Sequence, residues 1–429
     1  MPAKVHVVRT LNEVYGALLA AVGRLDKSLN PLDTIQRIRS HRFTFSDSIH
    51  LAHVFNTALW IWLMRAPGFP LKLAIPILHL ALLLVPFTSQ FFFRALPVTT
   101  WVLCYYSSQF IPNAHRPSIS VSVLPTLETV LFGANISDIL TRFTHPVLDI
   151  LAWLPYGLIH FTFPFVIAIF TWIFRPKETL HFWARVFGWL NFVGVVVQIL
   201  LPCAAPWYEV IFGLTPANYG MKGSPGGLLR IDRIFHSDGY TITFSNSPVI
   251  FGAFPSLHSA CATVEALFLS HFFPHTTPYV WTYAGVLYWA TMYLTHHYLI
   301  DVVGGSCMAV LFFYSLLPDE LRGPNATARP GSRSSKYAQY GLDAPSAGAD
   351  TYELMDDAAR EDEDEPPLSA YRPATNGSAV NGSARKNHKH TASIASLIKA
   401  NDRVEEGWSP IGNGSFVFPS PTREAMARQ

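Results

Sequence analysis

Two histidines and an aspartate stand out by type and spacing. His258 lies in FGAFPSLHSACATVEALFL (residues 251–269), and His297 and Asp301 lie in THHYLIDVVGG (residues 295–305). Ionisable side chains beside long apolar runs are costly unless paired or used. His258 therefore needs a partner or a task. On a helix, the four-residue spacing of His297 and Asp301 places both side chains on one face. A carboxylate that accepts the proton of one ring nitrogen fixes the tautomer and exposes the other nitrogen as a nucleophile or base. If a helix begins at Pro255, a residue suited to the first helical position, then Ser256, Leu257 and His258 fill its first turn. Free backbone N–H groups there favour an anion, above all a phosphate. An H-x-x-x-D spacing is weak by itself, since His145 and Asp149 repeat it in THPVLD. Its pairing with P-S-x-H makes it a candidate for chemistry.

These groups must be positioned by membrane elements. Of 429 residues, 50% are hydrophobic and 14% charged, against about 25% charged in soluble domains. The composition predicts an all-α, polytopic transmembrane helix bundle of six to eight spans. Apolar runs near the ~20 residues needed to cross a bilayer fall at about 49–66, 73–93, 95–112, 146–174, 181–204, 256–273, 279–296 and 299–317. The second and third are parted by little more than Arg94 and read as one broken or re-entrant element if not as two spans. Two crossings separate the histidine motifs, so the chain returns to the same face and His258 can meet His297. Residues 113–145 are too polar to span and could hold a short interfacial helix. Residues 205–255 form a second polar region, long enough for a small cap.

Residues 1–48 hold seven Lys/Arg and no long apolar core, so no cleavable signal is expected. From Pro318 the acidic run DDAAREDEDEPP and Asn-Gly-Ser repeats predict a disordered tail, with sequons such as Asn376-Gly-Ser. The domain reading is a cytosolic segment 1–48, a catalytic domain 49–317 and a cytosolic tail 318–429. Arg37, Arg39, Arg42, Arg175, Lys177 and Arg185 mark the cytosolic side. That places 113–145, 205–255 and the 297–298 turn together on the opposite, lumenal face. Cys104, Cys203, Cys261 and Cys307 are widely spaced, as buried thiols rather than a zinc site or disulfide framework would be.

Candidates to hold a phosphate are Ser256 in the first turn and the cap cations Lys222, Arg230 and Arg233. Arg230 and Arg233 share a face if GLLRIDRIF is helical, and the ordinary alternative is a salt bridge to Asp232 or Glu209. His296 reads as a positioning or interfacial residue. Asp149, His160 and Glu265 lie in or near apolar spans; His160 would line a lipid cavity or make an interhelical hydrogen bond. Trp207 and Tyr208 would stack on a ring or mark the interface.

The motifs PSLH and H-x-x-x-D resemble the last two motifs of the type 2 phosphatidic acid phosphatase superfamily. That resemblance implies a lipid-phosphatase-type core and a metal-free reaction without a cofactor. It further implies His297 as nucleophile, Asp301 as its orienter and His258 as the acid on the departing oxygen. The S-R pair of the usual lipid phosphatases is replaced by Ala290 and Thr291, K-x6-R-P is absent, and Leu257 replaces the glycine of PSGH. Fewer cations suit a phosphodiester better than a monoester. Over residues 40–317, RPSISVSVLPTLE, LDILAWLPYGLIHF, APWYE, YGMKGSPGGLLRID, GAFPSLHSACA and THHYLIDVVGG are similar to the catalytic subunits of fungal inositol phosphorylceramide synthases, the aureobasidin A targets. The resemblance implies phosphoinositol transfer from phosphatidylinositol to ceramide in the Golgi membrane, with a small membrane regulatory subunit. A lipid phosphate phosphatase, a ceramide phosphotransferase with another head group, and a non-enzymatic lipid-binding protein are the alternatives.

Overall fold

Proline and glycine punctuate the apolar runs, and the helices follow that punctuation. The computed structural model describes residues 2–322 and residue 327; the acidic run and the Asn376 sequon lie outside the described residues. The expected spans appear as helices Ser48–Leu63, Leu96–Ser108, Lys177–Leu200, Leu257–Phe272, Thr277–Tyr293 and Leu299–Leu316, with a longer one over 146–174. The run at 73–93 is not one element. Phe69–Leu84 and Pro86–Phe92 meet at 108°. The break falls at Val85, not at Arg94, because a residue before proline is driven to extended backbone and Val85 adopts φ −78°, ψ 119°.

Among the described residues, three helices, 146–174, 177–200 and 299–316, are long and apolar enough to cross a membrane, and the bent pair would make a fourth. Ser48–Leu63, Leu257–Phe272 and Thr277–Tyr293, of 16, 16 and 17 residues, measure about 24–26 Å against a hydrocarbon core of about 30 Å.

Leu257–Phe272 is the central post. Ala260, Ala262, Val264, Ala266 and Phe268 are wholly buried along it, and it packs on Leu299–Leu316, Thr277–Tyr293, His160–Phe174 and Lys177–Leu200. Small residues let membrane helices approach closely. Gly305 is the sharpest case, since a Cβ there would overlap the Ser256 carbonyl and the Ser259 hydroxyl. Across that contact, Ser259 Oγ donates to the Val302 carbonyl at 2.9 Å and Ser256 N to the Asp301 carbonyl at 3.1 Å. At the far end, Arg175 Nε donates to the Phe272 carbonyl at 3.0 Å, and His271 Nε2 donates to the Leu321 carbonyl at 2.7 Å.

The polar region 113–145 holds two short helices, Val123–Phe132 and Ile136–Thr141. The cap region holds Pro206–Phe212, Leu228–Ile234 and Gly239–Ser245. Ahead of the bundle, the helix Pro2–Gly23 packs on His160–Phe174. All four cysteines are free thiols; Cys104, Cys203 and Cys261 are buried and Cys307 is exposed, which corrects the expectation for that one.

Candidate active site

The His258 helix begins at Leu257 rather than Pro255, with Ser256 as its N-cap. Ser256 is wholly buried, and its hydroxyl accepts from Ser259 N at 3.3 Å. That hydroxyl is a cap, which removes the reason for assigning it to substrate. His258 is the second helical residue and half-buried.

The chain reaches His297 through a tight reversal. Thr277–Tyr293 ends, Thr295 takes a left-handed φ of 63°, and the backbone N–H groups of His296 and His297 both donate to the Thr291 carbonyl, at 3.0 and 3.3 Å. Gly226, also left-handed at φ 52°, presses on this turn; a Cβ there would lie 2.7 Å from the Leu294 carbonyl. The result is the meeting expected from sequence: His258 Nδ1 lies 3.3 Å from His297 Nε2.

His297 Nδ1 lies 3.0 Å from the Ala253 carbonyl. A carbonyl only accepts, so Nδ1 carries the proton and Nε2 presents a lone pair towards His258. Asp301 is not the direct acceptor. Its Oδ2 is 3.6 Å from His297 Nδ1, beyond a hydrogen bond, because that oxygen accepts from Tyr298 N at 2.9 Å in a helix-capping arrangement. Asp301 remains close enough to stabilise a positive imidazole. Burial pushes the His297 pKa down to about 4, against the Ala253 carbonyl, which favours the charged form; the resting ring is neutral.

Aromatic rings wall the pair. Tyr156 stacks on His258 at 4.4 Å between centroids and on His296 at 5.3 Å. It sits in a π-helical turn, Leu154–Ile159, a local unwinding frequent at functional sites. The His160 ring lies 4.7 Å from His258. Its Nδ1 has no hydrogen-bond partner, so ring packing takes the place of the anticipated interhelical bond there. His296 is buried, with Nε2 donating to the Pro225 carbonyl at 3.1 Å. Trp207 and Tyr208 are buried in a core cluster with Phe251 and Ala253, so they are packing residues rather than a stacking platform.

Among the cap cations, Arg230 is anchored. Its Nε donates to Asp149 Oδ1 at 2.8 Å, an oxygen that also accepts from Tyr293 Oη at 2.8 Å. The guanidinium carbon is 5.3 Å from the Tyr293 ring centre, and the buried Nη2 has no partner. The partner is thus neither Asp232 nor Glu209. Burial raises the Asp232 carboxyl, but bonds from Thr241, Tyr240 and Ser237 outweigh it and hold its pKa below the usual range. Glu209 Oε2 accepts from Tyr298 Oη at 2.8 Å and Asn135 Nδ2 at 3.3 Å. Arg230 and Arg233 do share the helix Leu228–Ile234, yet Arg233 and Lys222 are exposed.

Sequence reasoning missed Glu128, which is wholly buried behind the His297 turn. Its bonds run to backbone groups and a serine, and no spacing motif advertises them.

The sequence profile of the PAP2 superfamily matches residues 126–315, a range that contains every residue of the histidine pair's surroundings named above. The chain is similar to the inositol phosphorylceramide synthase catalytic subunit of Schizosaccharomyces pombe, 48% identical over 293 residues, covering 68% of this chain and 69% of that protein. It is similar to the inositol phosphorylceramide synthase of Candida albicans at 44% over 309 residues, 71% of this chain and 65% of that one. The corresponding catalytic subunit of Saccharomyces cerevisiae is 46% identical over 301 residues, 69% of this chain and 75% of the relative. No solved structure matches the chain.

Proposed function

The chain belongs to the inositol phosphorylceramide synthase family of the PAP2 superfamily, and from that membership we propose that it transfers phosphoinositol from phosphatidylinositol to the primary hydroxyl of ceramide, with His297 as the nucleophile. One observation carries the mechanism: a lone pair on His297 Nε2 faces His258 Nδ1 at 3.3 Å. The phosphodiester parts the two rings as it binds, and its negative charge favours the imidazolium form of His258. His297 Nε2 forms a bond to phosphorus as the bond to the diacylglycerol oxygen breaks, and His258 gives that oxygen its proton. Asp301, 3.6 Å from the ring, offsets the positive charge left on the phosphorylated imidazole. His258 then takes the proton of the ceramide hydroxyl, the new oxygen–phosphorus bond forms, and the bond to His297 breaks.

The free Nη2 of Arg230 holds a phosphate oxygen; one such cation suits a singly charged diester. Exposed Lys222 and Arg233 contribute at longer range. Water must be kept from the phosphohistidine, or the enzyme becomes a hydrolase; the Tyr156, His160 and His296 rings around His258 serve that exclusion. The catalytic domain is 49–317, embedded in the Golgi membrane with its site on the lumenal face, and it works with a small membrane regulatory subunit and binds aureobasidin A type inhibitors.

The test compares wild type with His297→Ala in detergent, supplying fluorescent ceramide and phosphatidylinositol, with the regulatory subunit present. The expected result is an inositol-bearing product that depends on phosphatidylinositol and is absent with the variant. Product from phosphatidylcholine would keep the mechanism and overturn the head group. Phosphate release from a lipid monoester, without transfer, would replace the synthase by a phosphatase.

A further inference from the structure

The nucleophile's ring is aimed by a backbone that something must hold. On the His297 side of Tyr298, the His297 carbonyl accepts from Ser137 Oγ at 3.0 Å. On the other side, Leu299 N donates to Glu128 Oε2 at 2.6 Å. Glu128 Oε1 accepts from Ser137 N at 3.0 Å and lies 3.2 Å from Ser137 Oγ. Glu128 and Ser137 are both wholly buried. One carboxylate therefore grips both flanks of the turn, directly at Leu299 and through Ser137 at His297.

We propose that Glu128, acting through Ser137 and the Leu299 amide, is the positioning residue that fixes the His297 nucleophile for attack on phosphorus. This rests on the assignment of His297 above.

The chemistry requires a carboxylate rather than an amide. Both oxygens face N–H donors, and a carboxylate only accepts. Glutamine would turn an NH2 group towards one of those donors and leave a buried donor unsatisfied, which is costly. The negative charge also lies at the N-terminus of the helix Leu299–Leu316, where the helix dipole favours an anion. Glu128 itself comes from Val123–Phe132 and Ser137 from Ile136–Thr141. The two short interfacial helices are thus the outer jaw of the site. A displacement of about 1 Å at a reacting atom can cost about a hundredfold in rate.

The test uses the full chain with its partner subunit in reconstituted membranes. It measures kcat, both KM values and thermal unfolding for wild type, His297→Ala, Glu128→Gln, Ser137→Ala and the double variant Glu128→Gln/Ser137→Ala. The expected result is a kcat per folded molecule lowered about 10- to 100-fold in Glu128→Gln and in Ser137→Ala, with both KM values unchanged, and no transfer by His297→Ala. The double variant should be no slower than Glu128→Gln, since the two residues act in one chain. If Glu128→Gln fails to fold, Ser137→Ala decides alone by the same split between kcat and KM. Full kcat in the folded variants, beside an inactive His297→Ala, would overturn the role of Glu128 and leave the nucleophile standing. Transfer by His297→Ala would overturn the assignment of the nucleophile itself.

Discussion

Arg230 has its guanidinium committed on one edge and free on the other. Asp149 and the Tyr293 ring fix the plane, and Nη2 is left without a partner. Lysine would keep the charge and lose the fork. A hydrogen bond to a charged group contributes about 1.5–3 kcal/mol, so Arg230→Lys should lower kcat/KM for phosphatidylinositol by about 10- to 100-fold. Initial rates over a phosphatidylinositol series would measure it, and an unchanged kcat/KM would remove Arg230 from the site. The histidine pair was legible in the sequence because its chemistry resides in residue types at fixed separations. Asp149 was visible for the wrong reason: the His145 spacing was a decoy, and its real partner lies 81 residues away. The substitution of Ala253 for Asp301 as the Nδ1 acceptor could not be read at all, since every residue has a carbonyl and only folding selects one.

At the scale of elements, hydropathy located helices well and their ends less well. The break at Val85 was hidden because Pro86 sits inside LLLVPF, where apolarity continues through the bend. The start at Leu257 was missed by two residues because Pro255 and Ser256 both suit a helix entrance, and packing against Asp301 decides between them. The GG of THHYLIDVVGG has a mechanical meaning that the motif alone concealed. Gly305 lets the Asp301 helix touch the entrance of the His258 helix, and the registry of the two histidines depends on that contact. Gly305→Ala must push the helices apart, at about 1–3 kcal/mol for overpacking. The variant should show a lower unfolding midpoint and weaker transfer together, whereas Gly285→Ala, where a Cβ would meet nothing within 4 Å, should show neither. Equal midpoints for the two variants would contradict this account.

For the whole molecule, the charge bias predicts sidedness, and exposed residues make it measurable. In a Cys307→Ser background, Arg39→Cys should react with an impermeant maleimide in sealed vesicles whose cytosolic face is outward. Lys222→Cys should react after permeabilisation and not before. The opposite pattern would put the site on the cytosolic face. Sequence could give this bias but not which wall of the site meets the bilayer, because that depends on how the helices are arranged. The helix over 146–174 resolves it. It brings Tyr156 and His160 against His258, yet only 11% of its apolar window is buried inside the protein. One face of this helix lines the interior of the enzyme, and beside the helix Pro2–Gly23 much of the rest is exposed, with Phe161, Phe165 and Ile169 pointing outward. In the proposed reaction, an acceptor dissolved in the bilayer beside it is a single helix diameter, about 10 Å, from the His258 ring, so the landing ground for the greasy substrate and the reaction chamber would share one thin partition.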